Sequence, residues 1–170
     1  VISLMGMEAM FTEMILNPDA YHRLMTFVTD NMINVFKWME DNEVLTLNNE
    51  NHYAGAGSFG FTDELPTDDY AGKVRLKDLW LNFNSQETVG ISPEMFGEMV
   101  FPYYEKAAKL SGLTYYGCCE PVDSIWQYIS KLSNLKKVSI SKWCNEEFMG
   151  EALAGSYIIY SRKPDPNYIG

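Results

Sequence analysis

Apolar residues recur along this chain in two periods, and the switches between them mark out its elements. Met7 to Leu16 forms a short amphipathic stretch leading into Asn17-Pro18-Asp19. Asn17 can cap a helix and Pro18 suits the first helical position, so a helix is expected to start there. Tyr21, Leu24, Met25, Val28, Met32, Val35, Phe36 and Met39 follow at three- and four-residue intervals, one apolar stripe ending near Asp41-Asn42. Val44 to Leu47 is a short apolar run before Asn48-Asn49 and reads as a buried strand with polar residues at its C-terminal end. Residues 50–72 mix glycines, a proline and several acids without a period, which predicts a long loop of the kind that serves as a lid.

The second half alternates more regularly. Asp78 to Asn84 reads as a strand, and Ser92-Pro93-Glu94 supplies cap, first-turn proline and first-turn acid for a helix closing at Gly112. Met95, Phe96, Met99, Val100, Tyr103 and Tyr104 hold one face of that helix. Leu113 to Cys119 is the next expected strand, followed by a helix over Pro121 to Leu132, a strand over Lys137 to Trp143, a helix over Asn145 to Ala154 and a strand over Tyr157 to Ser161. Strands alternating with helices predict an α/β fold with a parallel sheet.

Asn48, Ser85-Gln86-Glu87, Cys118-Cys119-Glu120, Ser141-Lys142 and Ser161-Arg162-Lys163 each follow directly on an expected strand. Polar contributions from every successive strand suit the top face of a (β/α)8 barrel better than the single switch point of a doubly wound sheet. A barrel needs roughly 250 residues. With five expected strands, residues 1–170 form a single, incomplete barrel domain.

The charge balance narrows the partners. The 170 residues carry 23 acids against 13 bases, a net charge of -10. That balance argues against a nucleic-acid partner, whose affinity comes from Lys and Arg. No run approaches the roughly 18 to 20 apolar residues of a membrane helix, and the first residues lack a basic segment before an apolar one, so a soluble, cytoplasmic protein is expected. Cys118 and Cys119 are adjacent and the third cysteine is Cys144, which suits reduced thiols rather than a disulfide framework. A start at Val1 and an end at Gly170 after a Pro-rich turn suggest a piece of something longer. The sequence has no G-x-G-x-x-G, P-loop, G-x-S-x-G or H-E-x-x-H motif, and Gly55-Ala56-Gly57-Ser58-Phe59-Gly60 lacks the strand-turn-helix setting of a phosphate cradle.

Several segments together carry a resemblance. Ser85-Gln86, Ile91-Ser92-Pro93-Glu94-Met95-Phe96, Phe101-Pro102-Tyr103-Tyr104, Tyr116-Gly117-Cys118-Cys119-Glu120-Pro121, Val138-Ser139-Ile140-Ser141 with Trp143, and Ser161-Arg162-Lys163-Pro164-Asp165-Pro166 resemble the uroporphyrinogen decarboxylase superfamily. The resemblance implies the same (β/α)8 barrel and one of two chemistries. One branch transfers methyl groups between corrinoids and thiols or folates, with zinc held by a His-x-Cys pair and a later cysteine. The other decarboxylates porphyrinogens without a cofactor.

Cys119 stands in the place of the zinc cysteine, with Gly117 where that motif has histidine. Cys119 is therefore the candidate catalytic thiol and metal ligand, with His52 from the long loop as a second ligand and Glu120 beside it. Strand alternation would send Cys118 to the opposite face, behind the barrel wall, and Cys144 reads as structural although it lies near the same rim. Gln86 can hydrogen-bond a polar ligand at the mouth, and Glu87 can act as acid or base if burial lifts its pKa. Asn48 and Asn84 are candidate substrate contacts, and Arg162 and Lys163 could clamp a substrate carboxylate. His22 reads as a helix-surface residue.

The preferred expectation is zinc-thiolate methyl transfer through Cys119, on a small-molecule or corrinoid-protein substrate and compatible with a homo-oligomer. Decarboxylation of uroporphyrinogen ranks second, because a surplus of acids suits a polycarboxylate poorly. A third expectation, an inactive scaffold fragment, would associate through its open sheet edges.

Overall fold

The computed structural model describes residues 1–165 and 167; Pro166, the last residue of the resemblance quoted above, lies outside them. Helices α1 (Ile2–Met5), α2 (Met7–Leu16) and α3 (Pro18–Asp41) come first. A two-stranded antiparallel hairpin follows, β1 (Tyr53–Gly55) and β2 (Ser58–Phe59). Four parallel strands then alternate with helices: β3 (Trp80–Phe83), α4 (Pro93–Met99), α5 (Phe101–Ala108), β4 (Leu113–Tyr116), α6 (Trp126–Ile129), β5 (Leu135–Ile140), α7 (Glu146–Leu153) and β6 (Ile159–Arg162). The protein is thus a mixed α/β structure. No helix among the described residues is long and apolar enough to cross a membrane.

The sheet runs in the order β3-β4-β5-β6, each strand beside its predecessor in the chain. Alternation sends Phe83, Tyr116, Val138 and Ile140 to one face, where they pack with Phe96, Met99, Ala107, Ile129 and Met149 from the helices. Trp80, Leu113 and Tyr115 go to the other face, against Ala54 and Leu65 of the segment before β3. Leu113, Thr114, Tyr115 and Tyr116 are all buried because both faces are covered at β4.

Local signals place most element starts. Ser92 Oγ accepts the Met95 N–H at 3.2 Å, so the expected cap forms, and Asn145 Oδ1 likewise accepts that of Phe148 at 3.0 Å. Asn17 precedes α3 without capping it; its amide turns back to donate to Glu13 at 2.8 Å. The helix expected up to Gly112 breaks at Val100 (φ -122°, ψ -51°), because Pro102 lacks the N–H that would continue the ladder.

Several expectations are corrected. The described residues hold four parallel strands in one sheet where five were expected. Residues 44–47 form no strand; Val44 is half-exposed, and the edge of β3 is met by a side chain instead, as described below. The loop 50–72 holds the β1-β2 hairpin, which lies on the sheet face of Trp80 and Tyr115: Trp80 Nε1 donates to the Gly60 carbonyl at 2.9 Å and Tyr115 Oη to that of Ala56 at 3.4 Å. Of the helix expected over residues 121–132, a 3-10 turn at Asp123–Ile125 and the single turn α6 are present, since the chain first uses its length to turn across the sheet rim. Val35, expected in the buried stripe of α3, is 54% exposed, as are Phe27 (66%) and Trp38 (59%), because only one side of that stripe reaches the rest of the protein.

Candidate functional site

The rim at the C-terminal ends of β3, β4 and β5 is built around a turn at Gly117. Its φ of 96° favours glycine, and a β-carbon there would stand 3.2 Å from Cβ of Ser139. The turn ends strand alternation before the cysteines. Cys118 therefore does not go behind the wall: its sulfur lies 3.6 Å from that of Cys119, on the same rim. Ser139 Oγ donates to the Cys118 carbonyl at 2.8 Å and holds the turn to β5.

Glu120 is buried and fully committed. Oε1 accepts the Ser85 N–H at 2.8 Å, Oε2 accepts the Cys118 N–H at 3.0 Å, and its carbonyl accepts Ser141 Oγ at 3.2 Å. The side chain ties together the ends of β3 and β4, and the main chain adds β5. Both carboxylate oxygens of this expected catalytic residue are thus engaged by backbone N–H groups, and they fix the turn that carries Cys119.

Cys119 is exposed and opens into a concavity of about 440 Å³ lined by Gln86, Val89, Glu120, Pro121 and Trp143. Trp143, 66% exposed, forms one wall, with Lys142 Nζ 4.6 Å from its ring centre. Burial pushes the Cys118 thiol above its ordinary pKa; the neighbouring Cys119 adds to this, and a hydrogen bond from Gln86 partly opposes it. Cys144 is buried with its sulfur accepting the Val122 N–H at 3.3 Å, a structural role.

The other expected site residues are distributed elsewhere. Asn84 and Glu87 line a separate cavity of about 220 Å³ beneath α3, with Tyr21, Met25, Tyr103 and Tyr104, and the Asn84 carbonyl accepts Tyr104 Oη at 2.6 Å. Burial, then the charges of Glu87 and Glu120, push the Tyr104 hydroxyl well above the usual phenol range. His22 is not a plain surface residue, since its Nδ1 lies 2.7 Å from Tyr103 Oη and ties α3 to α5. His52 is exposed at the foot of the hairpin, where its carbonyl accepts the Gly60 N–H at 2.9 Å. Among the described residues no three His, Cys, Asp or Glu side chains gather as a metal-binding group, so His52 and Glu120 do not join the two cysteines.

Asn48 is occupied by the backbone of Trp80, with Oδ1 accepting its N–H at 2.9 Å and Nδ2 donating to its carbonyl at 3.1 Å. Arg162 is also occupied: Nε lies 3.2 and 3.1 Å from the two Glu146 carboxylate oxygens on α7. Neither is a free substrate contact. Lys163 points to the other side and donates to Ser161 Oγ at 3.2 Å, because successive residues face opposite ways.

One residue on the sheet face of Trp80 and Tyr115 escaped the sequence reading. Lys137, only 5% exposed, donates to the Phe59 carbonyl at 2.5 Å and lies 4.9 Å from the Trp80 ring centre and 5.6 Å from that of Tyr115. The available signal was Lys137-x-Ser139-x-Ser141, polar residues at alternate positions of a strand buried on both faces. Comparison of the chain with models of protein families, with curated proteins and with solved structures gives no match in any of the three.

Proposed function

We propose that the four parallel strands form one arc of a (β/α)8 barrel of uroporphyrinogen decarboxylase type, and that Cys119 serves methyl transfer between a methylated corrinoid and a thiol or folate acceptor. The sequential strand order supports the barrel, because a doubly wound sheet would reverse direction at a switch point. The observation that carries the chemistry is the exposed Cys119 thiol with a second sulfur 3.6 Å away, at the strand ends where such barrels hold their sites.

The spacing suits a shared metal ion. Two thiolates on one tetrahedral zinc, each at about 2.3 Å, stand about 3.8 Å apart. Cys118 and Cys119 would supply two donors; among the described residues no third joins them. Bound zinc would keep a coordinated thiol ionised near neutral pH. The chain's own residues do the rest: Glu120 fixes the turn, Gln86 offers an amide to a polar ligand group, and Trp143 gives the ligand an apolar wall.

The test measures bound zinc and cadmium-thiolate absorbance on the reduced protein, with methyl transfer from methylcobalamin to a thiol assayed in parallel. The unmodified chain is expected to bind metal and transfer methyl, and Cys119→Ser to lose both while keeping its circular dichroism. Equal transfer by Cys119→Ser, or turnover of uroporphyrinogen by the metal-free protein, would overturn the reading in favour of decarboxylation. That second reading is favoured by one observation, the lysines on the inner face.

A further inference from the structure

Charge is sorted across the sheet in a way the net charge of the chain conceals. Two pairs of neighbours in sequence show this. Lys136 pairs with Glu64 at 2.6 Å, and Arg162 pairs with Glu146 at 3.1 Å. Lys137 and Lys163, next to them in the chain, have no carboxylate within 4.0 Å among the described residues.

Their placement is costly. A lysine is almost never fully buried without a partner, since an ammonium loses its hydration on burial. Lys137 is 5% exposed and offsets that cost with only a carbonyl and two aromatic rings. Burial pushes its ammonium pKa down, and the nearby positive charge of Lys163 pushes it further. An anion between the two would relieve both effects.

The surroundings offer hydrogen-bond donors rather than competing acids. Ser161 is one such donor: Lys163 Nζ donates to its Oγ at 3.2 Å, which leaves the Ser161 O–H to point at a ligand, whereas its register partner Ser139 is held by the Cys118 carbonyl. Across from them the hairpin turn presents no side chain at Gly57; a β-carbon added there would lie 4.0 Å from Lys163 Nζ. Neighbouring strands are about 4.8 Å apart, so β6 lies about 10 Å, two strand spacings, from the end of β4 that carries the thiol pair.

We propose that Lys163 and Lys137, with Ser161 and the glycine turn of the hairpin above them, form a recognition site for a compact oxyanion group of the substrate. A carboxylate and a phosphate share the chemistry required, a delocalised negative charge that accepts from ammonium and hydroxyl donors. The proposal rests on the barrel reading for which face receives substrate, but on neither branch of chemistry. A ligand gripped there would extend towards Cys119 across β5.

Succinate and inorganic phosphate serve as probes, titrated into the full chain by calorimetry at matched ionic strength with chloride as the control. Binding of either is expected to weaken at least roughly tenfold in Lys163→Gln, a loss of about 1.4 kcal/mol, and to stay within a few-fold in Lys163→Arg. Tighter binding of succinate would identify a carboxylate, and tighter binding of phosphate a phosphoryl group. No binding of either anion to the folded unmodified chain, or equal binding to Lys163→Gln, would overturn the site. Because Lys163 is only half-buried, its variants should keep the unmodified circular dichroism. Because the readout is binding, failure here is separable from failure of methyl transfer.

Discussion

Asn48 closes the free edge of the sheet at Trp80 by acting as a one-residue strand. Its side-chain amide accepts the Trp80 N–H at 2.9 Å and donates to the Trp80 carbonyl at 3.1 Å, reproducing both bonds of a ladder pair. Edge strands otherwise present unpaired amides that recruit other chains. Asn48→Ala should cost about 1–3 kcal/mol, the penalty of leaving buried polar groups unsatisfied. Asn48→Asp should cost a similar amount, since a carboxylate can accept the N–H but repels the carbonyl. A urea midpoint unchanged in both variants would show that the pairing contributes nothing to stability.

Asp78 predicts the behaviour in acid. Burial alone would raise its pKa, but hydrogen bonds from Arg75 and Thr67 outweigh burial and hold it at about 2. An unfolded aspartate titrates near 3.9. A folded-state pKa below the unfolded value stabilises the protein above about pH 4, and that contribution is lost as pH falls through 2. Asp78→Asn should lower stability at neutral pH by about 2 kcal/mol and flatten its decline between pH 4 and 2. Denaturant titrations at several pH values read this directly, and parallel declines in the two proteins would contradict it.

Glu120 separates positioning from catalysis. A glutamine there keeps one oxygen but sets an NH2 group against a backbone donor, either Ser85 N–H or Cys118 N–H. Glu120→Gln should therefore lose about 1.5–3 kcal/mol of stability and weaken metal uptake at Cys119 as the turn loosens. A fully stable variant with normal metal uptake but no turnover would instead mark Glu120 as a reacting group.

The three thiols should alkylate in a fixed order. Cys119 is exposed and reacts first with iodoacetamide. Cys118 follows, and its rate should still be climbing above pH 8.5, about where an ordinary thiol is half ionised, because burial keeps it protonated. Cys144, buried against the Val122 amide, should react only on unfolding. Peptide mass spectrometry over a time course reports the order, and labelling of Cys118 ahead of Cys119 would contradict the rim geometry.

What could be read from the sequence alone was whatever is decided within a few residues. The Ser92 cap, the alternation of strand and helix, and the α/β class all follow from short-range spacing and hydrogen bonding. Gln86 beside Cys119 was also legible, since both follow directly on strands.

Only the tertiary structure could decide how those strand ends are used. Asn48 meets Trp80 across 32 residues, and Glu120 meets Ser85 across 35. Arg162 and Lys163 look alike as a pair in sequence, yet one forms an ion pair with Glu146 of α7 and the other donates to Ser161 Oγ. The vicinal thiols depended on a single departure from strand alternation at Gly117, a left-handed turn whose effect on side-chain direction no period reveals. Periodicity states which side of its own element a residue occupies. What waits on that side is set by segments far away in the chain, and it determines whether a polar side chain is a backbone clamp, an ion-pair partner or a group free to meet a ligand.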